Sequence, residues 1–207
     1  MEDQSRAGSR RAAGQRTRET ILSRAADIAS VEGLEGLTIG RLAAELGISK
    51  SGLFAHFGSK EDLQLATVEA ARKGYARAVF GPVGAGERGL ARLQHLCESW
   101  LAYAGDGVFP GGCFFAAASA EFDGRPGPVR DRLASIMRDW LDALTAAAQQ
   151  AIDDGEIASG TDTAQVAFEL NAYGMAANWA RQLLDDAGAF DRARTAMRNR
   201  IEALRPA

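Results

Sequence analysis

The sequence predicts an all-α protein, and three observations lead to this prediction. Alanine is abundant, and only five of the 207 residues are proline, a composition that favours helix over strand. Apolar residues recur at intervals of three and four, which is the spacing of one helix face. No segment alternates between apolar and polar residues as a half-buried strand would, and no internal repeat is visible. With 46% hydrophobic and 25% charged residues, the composition is that of an ordinary globular protein with a real core.

Residues 1–15 are predicted to form a disordered basic tail. Residues 1–18 carry five arginines and two acidic residues, whereas the whole chain has a net charge of −3. Glycine, serine, arginine and glutamine dominate the tail, so it has little apolar surface to bury. The rest of the chain is mildly acidic, which argues against a protein that coats nucleic acid with a generally basic surface. The positive charge of the tail has two interpretations. The simpler one is a solubilising tail, and the other is a basic tip that contacts a polyanion.

A first helix is predicted from about Thr17 to Val31. Its apolar face consists of Ile21, Ala25 and Ile28, which are spaced by three and four residues.

Two short helices follow, joined by a tight turn. Thr38 is a plausible N-cap for a second helix, Ile39–Leu46. Gly47 ends this helix where a left-handed residue is needed, and Ser49 can cap a third helix, Lys50–Phe57.

The rest of the chain is predicted to be a helical body. Ser59 and Asp62 have the spacing of a capping box and open a long helix to about Phe80, before a glycine-rich turn at 81–89. Further helices are predicted at about Arg88–Tyr103, Cys113–Phe122, Val129–Asp154, Asp162–Asp186 and Phe190–Leu204. The chain therefore divides into a tail, a head at 16–63 and a body at 64–207.

Residues 38–57 have the organisation of a helix-turn-helix. Ala43 is small where the two helices must cross, and Ile48 and Leu53 are apolar where the pair must close over the first helix. The eight-residue second helix is about 12 Å long, short enough for its N-terminal end to enter a major groove.

The predicted DNA contacts surround this second helix. Lys50, Ser51 and Gly52 at its start are expected to meet base edges. The other predicted contact residues hold phosphates or frame the helix, and they are Arg16, Arg18, Thr38, Ile39, Ser49, Phe54, His56, Phe57 and Lys60.

Residues 17–63 resemble the DNA-binding head of the tetracycline-repressor (TetR) family. The likeness includes that family's closing signature, here Gly52-Leu-Phe-Ala-His-Phe-Gly-Ser-Lys-Glu-Asp-Leu63. The resemblance implies a homodimer with two heads on a palindromic operator, and a repressor released when a small molecule enters the body. The family often has tyrosine where this chain has Phe54, so a hydroxyl contact to phosphate is not expected there.

Aromatic residues around 109–115 suggest an apolar ligand cavity, with ordinary core packing as the alternative. The candidate lining residues are Trp100, Tyr103, Phe109, Cys113, Phe114, Phe115, Met137, Trp140, Phe168, Asn171 and Met175. Asn171 would be the polar anchor, and an apolar or aromatic effector suits such a cavity better than a charged one.

The last two helices carry the predicted dimer interface, because they combine small residues with apolar area. The candidates are Ala172, Ala176, Ala177, Leu183, Leu184, Met197 and Ile201. Homo-oligomers usually close by two-fold symmetry, which would suit paired heads. The alternative is that the same faces pack within one chain.

No catalytic set, metal site or cofactor is predicted. His95 and Cys97 are two residues apart and cannot share a helix face, and Cys97 and Cys113 provide no disulfide framework. A redox role for Cys113 is a minor hypothesis, because no basic residue adjoins it in the sequence.

The sequence also predicts the location of the protein and leaves one rival class of function open. No signal peptide or long apolar run is present, so a cytoplasmic protein with no membrane partner is expected. The rival hypothesis is a helical small-molecule-binding protein or enzyme in which the helix-turn-helix is only a packing module. Such a protein would tolerate Lys50→Ala and Lys60→Ala, whereas a repressor would lose specific binding with the first and general affinity with the second.

Overall fold

The computed structural model describes residues 2–84 and 86–206, with side chains from residue 14 onward within these ranges. In this part of the chain there are nine helices and no strand, which confirms the all-α prediction. The helices are α1 (Glu2–Glu32), α2 (Ile39–Leu46), α3 (Lys50–Phe57), α4 (Lys60–Val79), α5 (Gly89–Gly105), α6 (Phe114–Phe122), α7 (Pro128–Asp153), α8 (Thr163–Leu184) and α9 (Ala189–Glu202).

The first helix is longer than predicted. It begins at Glu2 instead of near Thr17, so the structure gives residues 2–15 a helical backbone in place of the predicted disordered tail. These residues include no proline, and their alanine, arginine, glutamine and glutamate are good helix formers. Backbone propensity therefore accounts for the extension. Met1 lies outside the described residues.

The predicted caps of the head are confirmed. The side chains of Thr38, Ser49 and Ser59 each accept a hydrogen bond from the backbone N–H three residues later, at 3.0, 3.1 and 3.0 Å. Gly47 ends α2 with a φ of 64°, a left-handed conformation that costs glycine little. These local bonds set where α2, α3 and α4 begin, and Gly47 sets where α2 ends.

The head closes over α1 differently from the prediction at one position. Leu53 is fully buried and Phe57 nearly so, at 5% exposure, whereas Ile48 is 41% exposed. Leu53 and Phe57, one and two turns into α3, are therefore the residues that close the head over α1. Ile48 lies in the turn before α3, where it stays largely open to solvent.

The body consists of α4 to α9, and α4 connects it directly to the head. One side of α4, including Val68, Ala71, Tyr75 and Val79, is buried. α4 packs against α1 of the head and against α5 and α7 of the body. No helix in the described part of the chain is long and apolar enough to cross a membrane.

Candidate nucleic-acid interface and ligand cavity

The start of α3 is an exposed polar face. Lys50, Ser51 and Gly52 are all exposed, and Phe54 on the next turn is 55% exposed. The Ser49 hydroxyl accepts a hydrogen bond from the Gly52 N–H, which fixes the first turn of the helix. Exposed hydrogen-bonding groups at the start of a short helix are the kind of groups that can reach base edges in a groove.

Lys50 lies against the first turn of α2, where the sequence places Gly40. A Cβ atom added to Gly40 would lie 3.4 Å from Cε and 3.6 Å from Nζ of Lys50. The missing side chain therefore leaves room for the lysine to lie across α2. Sequence reasoning missed Gly40, although a glycine inside a helix is itself a signal of close approach.

Four cationic or ionisable side chains flank this face, and the structure separates their roles. Arg16 and His56 are exposed. The Arg18 guanidinium lies 5.0 Å from the ring centroid of Phe57, within range of a cation–π interaction. Lys60 Nζ lies 2.7 Å from a carboxylate oxygen of Glu35. Lys60 is therefore already engaged within the chain.

Burial contradicts one predicted DNA contact, Phe57, whereas a second, Ile39, is partly accessible and stays a prediction. Phe57 is buried in the head and supports Arg18 from beneath, so it has no surface to offer DNA. Ile39 is half-buried and packs against the hydrophobic core. Both are apolar residues on the inner side of their helices, which the head core covers.

Ion pairs tie α1 to α2 behind the exposed face. Arg41 binds Glu32 at 2.5 Å and Glu45 at 2.8 Å, and Arg24 also binds Glu45. The hydrogen bonds from Arg41 lower the pKa of both carboxyl groups. These arginines therefore hold the head together and are not free for phosphate.

The loop between α1 and α2 is held by the body. Glu121 of α6 accepts hydrogen bonds from the backbone N–H groups of Leu34 and Glu35, at 2.7 and 3.0 Å. Gln64 of α4 donates to the Leu34 carbonyl at 2.9 Å, and Arg125 lies 3.4 Å from Glu35. The loop that leads into the helix-turn-helix is thus bound to both α4 and α6.

The segment before α6 is held at two points, one on α1 and one on α8. The Gly111 N–H donates to the Ser30 hydroxyl at 3.1 Å, and the Cys113 N–H donates to Oδ1 of Asn178 at 2.9 Å. Sequence reasoning missed Ser30, Asn178 and Glu121. The one available signal was that Ser30 and Asn178 are polar residues in apolar stretches of their helices.

Inside the body, aromatic side chains converge on Tyr75. Its ring makes edge contacts with those of Tyr103, Phe115 and Trp140, at centroid distances of 5.1, 5.4 and 6.2 Å. The space left beside them measures about 10 Å³, enough for one water molecule at most. Six predicted ligand residues meet around this space, namely Trp100, Cys113, Phe115, Met137, Trp140 and Met175. Their packing is that of a filled core, and a ligand role for them stays a prediction.

Of the other five predicted ligand residues, four lie in or beside the aromatic cluster and one lies on the surface of α8. Tyr103, Phe109 and Phe114 are buried and continue the aromatic cluster. Asn171 accepts a hydrogen bond from Nε1 of Trp140 at 3.2 Å, so its amide is engaged at the edge of the cluster. Phe168 is 64% exposed on the outer face of α8, which corrects its placement in the cavity. Its position along the helix turns it away from the buried Leu170.

Cys113 is a buried thiol at the start of α6. Its Sγ accepts a weak hydrogen bond from the Ala116 N–H at 3.4 Å. Burial raises its pKa to about 11, and this effect outweighs the backbone hydrogen bonds that lower it. A reactive thiolate is therefore disfavoured at neutral pH, which argues against the redox hypothesis.

The outer face of α8 carries most of the exposed apolar area of the body. Exposed positions along it are Phe168, Ala172, Ala176, Trp179, Leu183 and Leu184. Three predicted dimer residues, Ala177, Met197 and Ile201, are instead buried inside the chain, where α8 and α9 pack together. The helical phase turns them inward, and sequence reasoning missed Trp179 and Phe168 as members of the outer face.

Among the residues whose side chains the structure describes, no group of three histidine, cysteine or acidic residues is placed to hold a metal ion.

Two family models match the chain. The model described as the tetracyclin repressor-like C-terminal domain matches residues 89–197, and that of the bacterial regulatory proteins of the tetR family matches residues 21–67. The chain belongs to the TetR family. It is accordingly a transcriptional regulator with an N-terminal DNA-binding helix-turn-helix and a helical C-terminal domain.

Solved structures of TetR-family regulators share this fold. A regulator from Chloroflexus aurantiacus is 26% identical, with a TM-score of 0.86 over 94% of this chain and 99% of that one. A regulator from Cytophaga hutchinsonii is 19% identical, with a TM-score of 0.81 over 93% and 96% of the two chains. AibR, solved in complex with isovaleryl coenzyme A and operator DNA, is 21% identical, with a TM-score of 0.71 over 91% and 98%. No curated protein matches the sequence.

In this TetR-family chain, the residues predicted to meet base edges are exposed, and the sequence could indicate them because they belong to one contiguous motif. It missed the contacts that hold the motif to the body, since those join residues as far as 87 positions apart.

Proposed function

We propose that this TetR-family chain is a repressor that binds a palindromic operator as a homodimer and is released by a small-molecule effector. The observation that carries this proposal is the exposed start of α3, where Lys50, Ser51 and Gly52 are presented by a capped first turn. A short helix presented in this way fits a major groove.

The groups around α3 are proposed to contact the DNA phosphates. Arg16 is exposed, and Arg18 is held over Phe57 beside α3. The N-termini of α2 and α4 add backbone N–H groups that favour anions. Lys60 contributes less than the sequence alone suggests, because Glu35 already binds its amine.

Dimerisation is proposed through the outer face of α8. Trp179 and Leu183 are 56% and 65% exposed, which leaves large apolar side chains in water in the single chain. A second copy related by two-fold symmetry would cover them and place two heads side by side. Two heads spaced by about 34 Å can read successive major grooves.

Effector release is proposed through α4. This helix begins at Lys60 beside the recognition helix and carries Tyr75 into the aromatic cluster. An apolar or aromatic effector that opened the cluster would displace Tyr75 and shift the head through α4. The head spacing would then no longer match the operator. A regulator of this kind acts without catalysis, in the cytoplasm where the chromosome lies.

The deciding experiment is binding of the full-length protein to labelled DNA from its own promoter region at two salt concentrations, with random DNA as competitor. We expect tight binding that falls steeply with salt and survives the competitor. Lys50→Ala should lose the preference for promoter DNA by about 10- to 100-fold, as expected for one lost base contact. Arg138→Ala, which removes an exposed cation of α7 with no ion pair in the described structure, is the matched control and should change nothing. Equal, weak binding to both DNAs would contradict the proposal.

A further inference from the structure

A cleft of about 690 Å³ lies between α1 and α4, next to the aromatic cluster and separate from the small space inside it. Its volume is that of a small-molecule site, and it greatly exceeds the space of about 10 Å³ inside the body. It opens where the head meets the body, and the loop after α5 closes one end with Val108 and Phe109.

The floor of the cleft is apolar. Leu22 and Ala26 line it from α1, and Ala70 lines it from α4. Phe109 closes the floor, and its ring continues into the aromatic cluster through Tyr103, at a centroid distance of 6.1 Å. An alkyl chain or a ring is the ligand body that suits this floor.

One wall of the cleft carries two cations without counterions. Lys73 and Arg77 are exposed on α4, and neither forms a salt bridge with a residue whose side chain the structure describes. They are four residues apart, so they are neighbours on the helix surface, where like charges repel. An anion between them would relieve that repulsion and accept hydrogen bonds from both.

Two of the three acidic residues that line the cleft are already paired with arginines. Glu69 binds Arg132 and Arg72, and both arginines lie outside the lining. On the α1 wall, Asp27 lies 3.6 Å from Arg24, and Glu19 accepts a hydrogen bond from Gln15 at 2.8 Å. Glu19 has no salt bridge in the described structure and keeps its charge, but Arg18, Lys73 and Arg77 also lack one, so the charge of the lining that no ion pair offsets is positive on balance.

We propose that this cleft binds an amphipathic carboxylate, with its apolar body on Leu22, Ala26 and Phe109 and its acid group between Lys73 and Arg77. This site differs from the cavity predicted from the sequence in both place and ligand charge.

Ligand in the cleft would compete with DNA. Arg18 lines the cleft and is also placed beside Phe57 at the edge of the recognition helix. A bound carboxylate attracts Arg18 away from phosphate, and a ligand wedged between α1 and α4 changes the angle of the head. This regulatory consequence rests on the proposed function, whereas the binding site itself does not.

The test is isothermal titration of the full chain with dodecanoate, a carboxylate with an alkyl body. We expect saturable binding to the wild type, and at least about tenfold weaker binding to the double variant Lys73→Gln with Arg77→Gln. Ser23→Trp, which fills the exposed mouth of the cleft, should abolish binding. The matched control, Arg92→Gln with Arg138→Gln, removes two cations elsewhere in the body and should bind as the wild type does.

Two further measurements separate this site from the body interior. Dodecanol should bind more weakly than dodecanoate and should not respond to the Lys73 and Arg77 variant. Brominated dodecanoate should leave tryptophan fluorescence intact, because no tryptophan lines the cleft whereas Trp100 and Trp140 line the inner cavity. Strong quenching of the native tryptophans in the wild type, together with unchanged dodecanoate affinity in the Ser23→Trp variant, would overturn the proposal, as would the absence of any dodecanoate binding.

The effect of the ligand on DNA binding is tested by titrating dodecanoate into the protein bound to its promoter DNA. Release of DNA at concentrations that saturate the cleft is the expected result. A protein that binds dodecanoate in the cleft but no specific DNA would refute the proposed function alone. A protein that binds its operator and no dodecanoate would refute the cleft alone.

Discussion

The carboxylate of Glu121 on α6 accepts a hydrogen bond of 2.7 Å from the backbone N–H of Leu34, in the loop that leads into the helix-turn-helix. Its other oxygen accepts a bond from the next backbone N–H, that of Glu35, at 3.0 Å. One side chain of the body therefore caps two consecutive donors of the head. This contact fixes where the head lies relative to α6.

Glu121→Ala should destabilise the protein by about 1–3 kcal/mol, because two N–H groups lose a charged acceptor. Urea unfolding monitored by circular dichroism measures this loss. Glu121→Gln retains one acceptor oxygen and should lose less. Identical unfolding midpoints for the alanine variant and the wild type would show that water replaces the carboxylate at no cost.

Gly111→Ala should be destabilising by about 1–3 kcal/mol or more, the usual cost of forcing extra atoms into a packed site. A Cβ atom at position 111 would lie 1.8 Å from the backbone oxygen of Ser30, so the segment before α6 would have to move away from α1. Gly124→Ala is the control, since nothing lies within 4 Å of the added atom there. Thermal unfolding of the two variants should separate them, and equal melting temperatures would refute the close approach.

Leu183→Glu should convert a dimer to a monomer, because it places a charge in the apolar face of α8 that a second copy would cover. Size-exclusion chromatography with light scattering at micromolar concentration measures the mass. Val31→Glu is the matched control, since Val31 on α1 is 63% exposed and Leu183 is 65% exposed. A wild type that is already monomeric, or a Leu183→Glu dimer of unchanged mass, would contradict the proposed interface.

Cys113 should resist modification in the folded protein. Burial raises its pKa to about 11 and that of Cys97 to about 12, so both thiols stay protonated at pH 8. Iodoacetamide followed by mass spectrometry should label neither cysteine until urea unfolds the chain. Peroxide should likewise leave DNA affinity unchanged. Rapid labelling of Cys113 in the native protein would reinstate a redox role.

Local chemistry is what the amino-acid sequence determines in this protein. The helices, the left-handed Gly47 and the hydroxyl caps at Thr38, Ser49 and Ser59 follow from hydrogen bonds made within a few residues. The residues predicted to meet base edges also lie in one short segment, so their spacing could be read directly from the sequence. Helix propensity at residues 2–15 was equally present in the sequence, but the polar composition outweighed it in the prediction.

Only the tertiary structure decided which face of each helix meets which neighbour. Phe57 and Phe168 are both aromatic residues on amphipathic helices, yet the first is buried and the second is exposed. The aromatic side chains fill the body instead of enclosing an open cavity, and the larger cleft forms between α1 and α4. Glu121 reaches a backbone 87 residues away, and no periodicity encodes that pairing. Packing geometry depends on all the helices together, whereas periodicity and capping depend only on sequence neighbours.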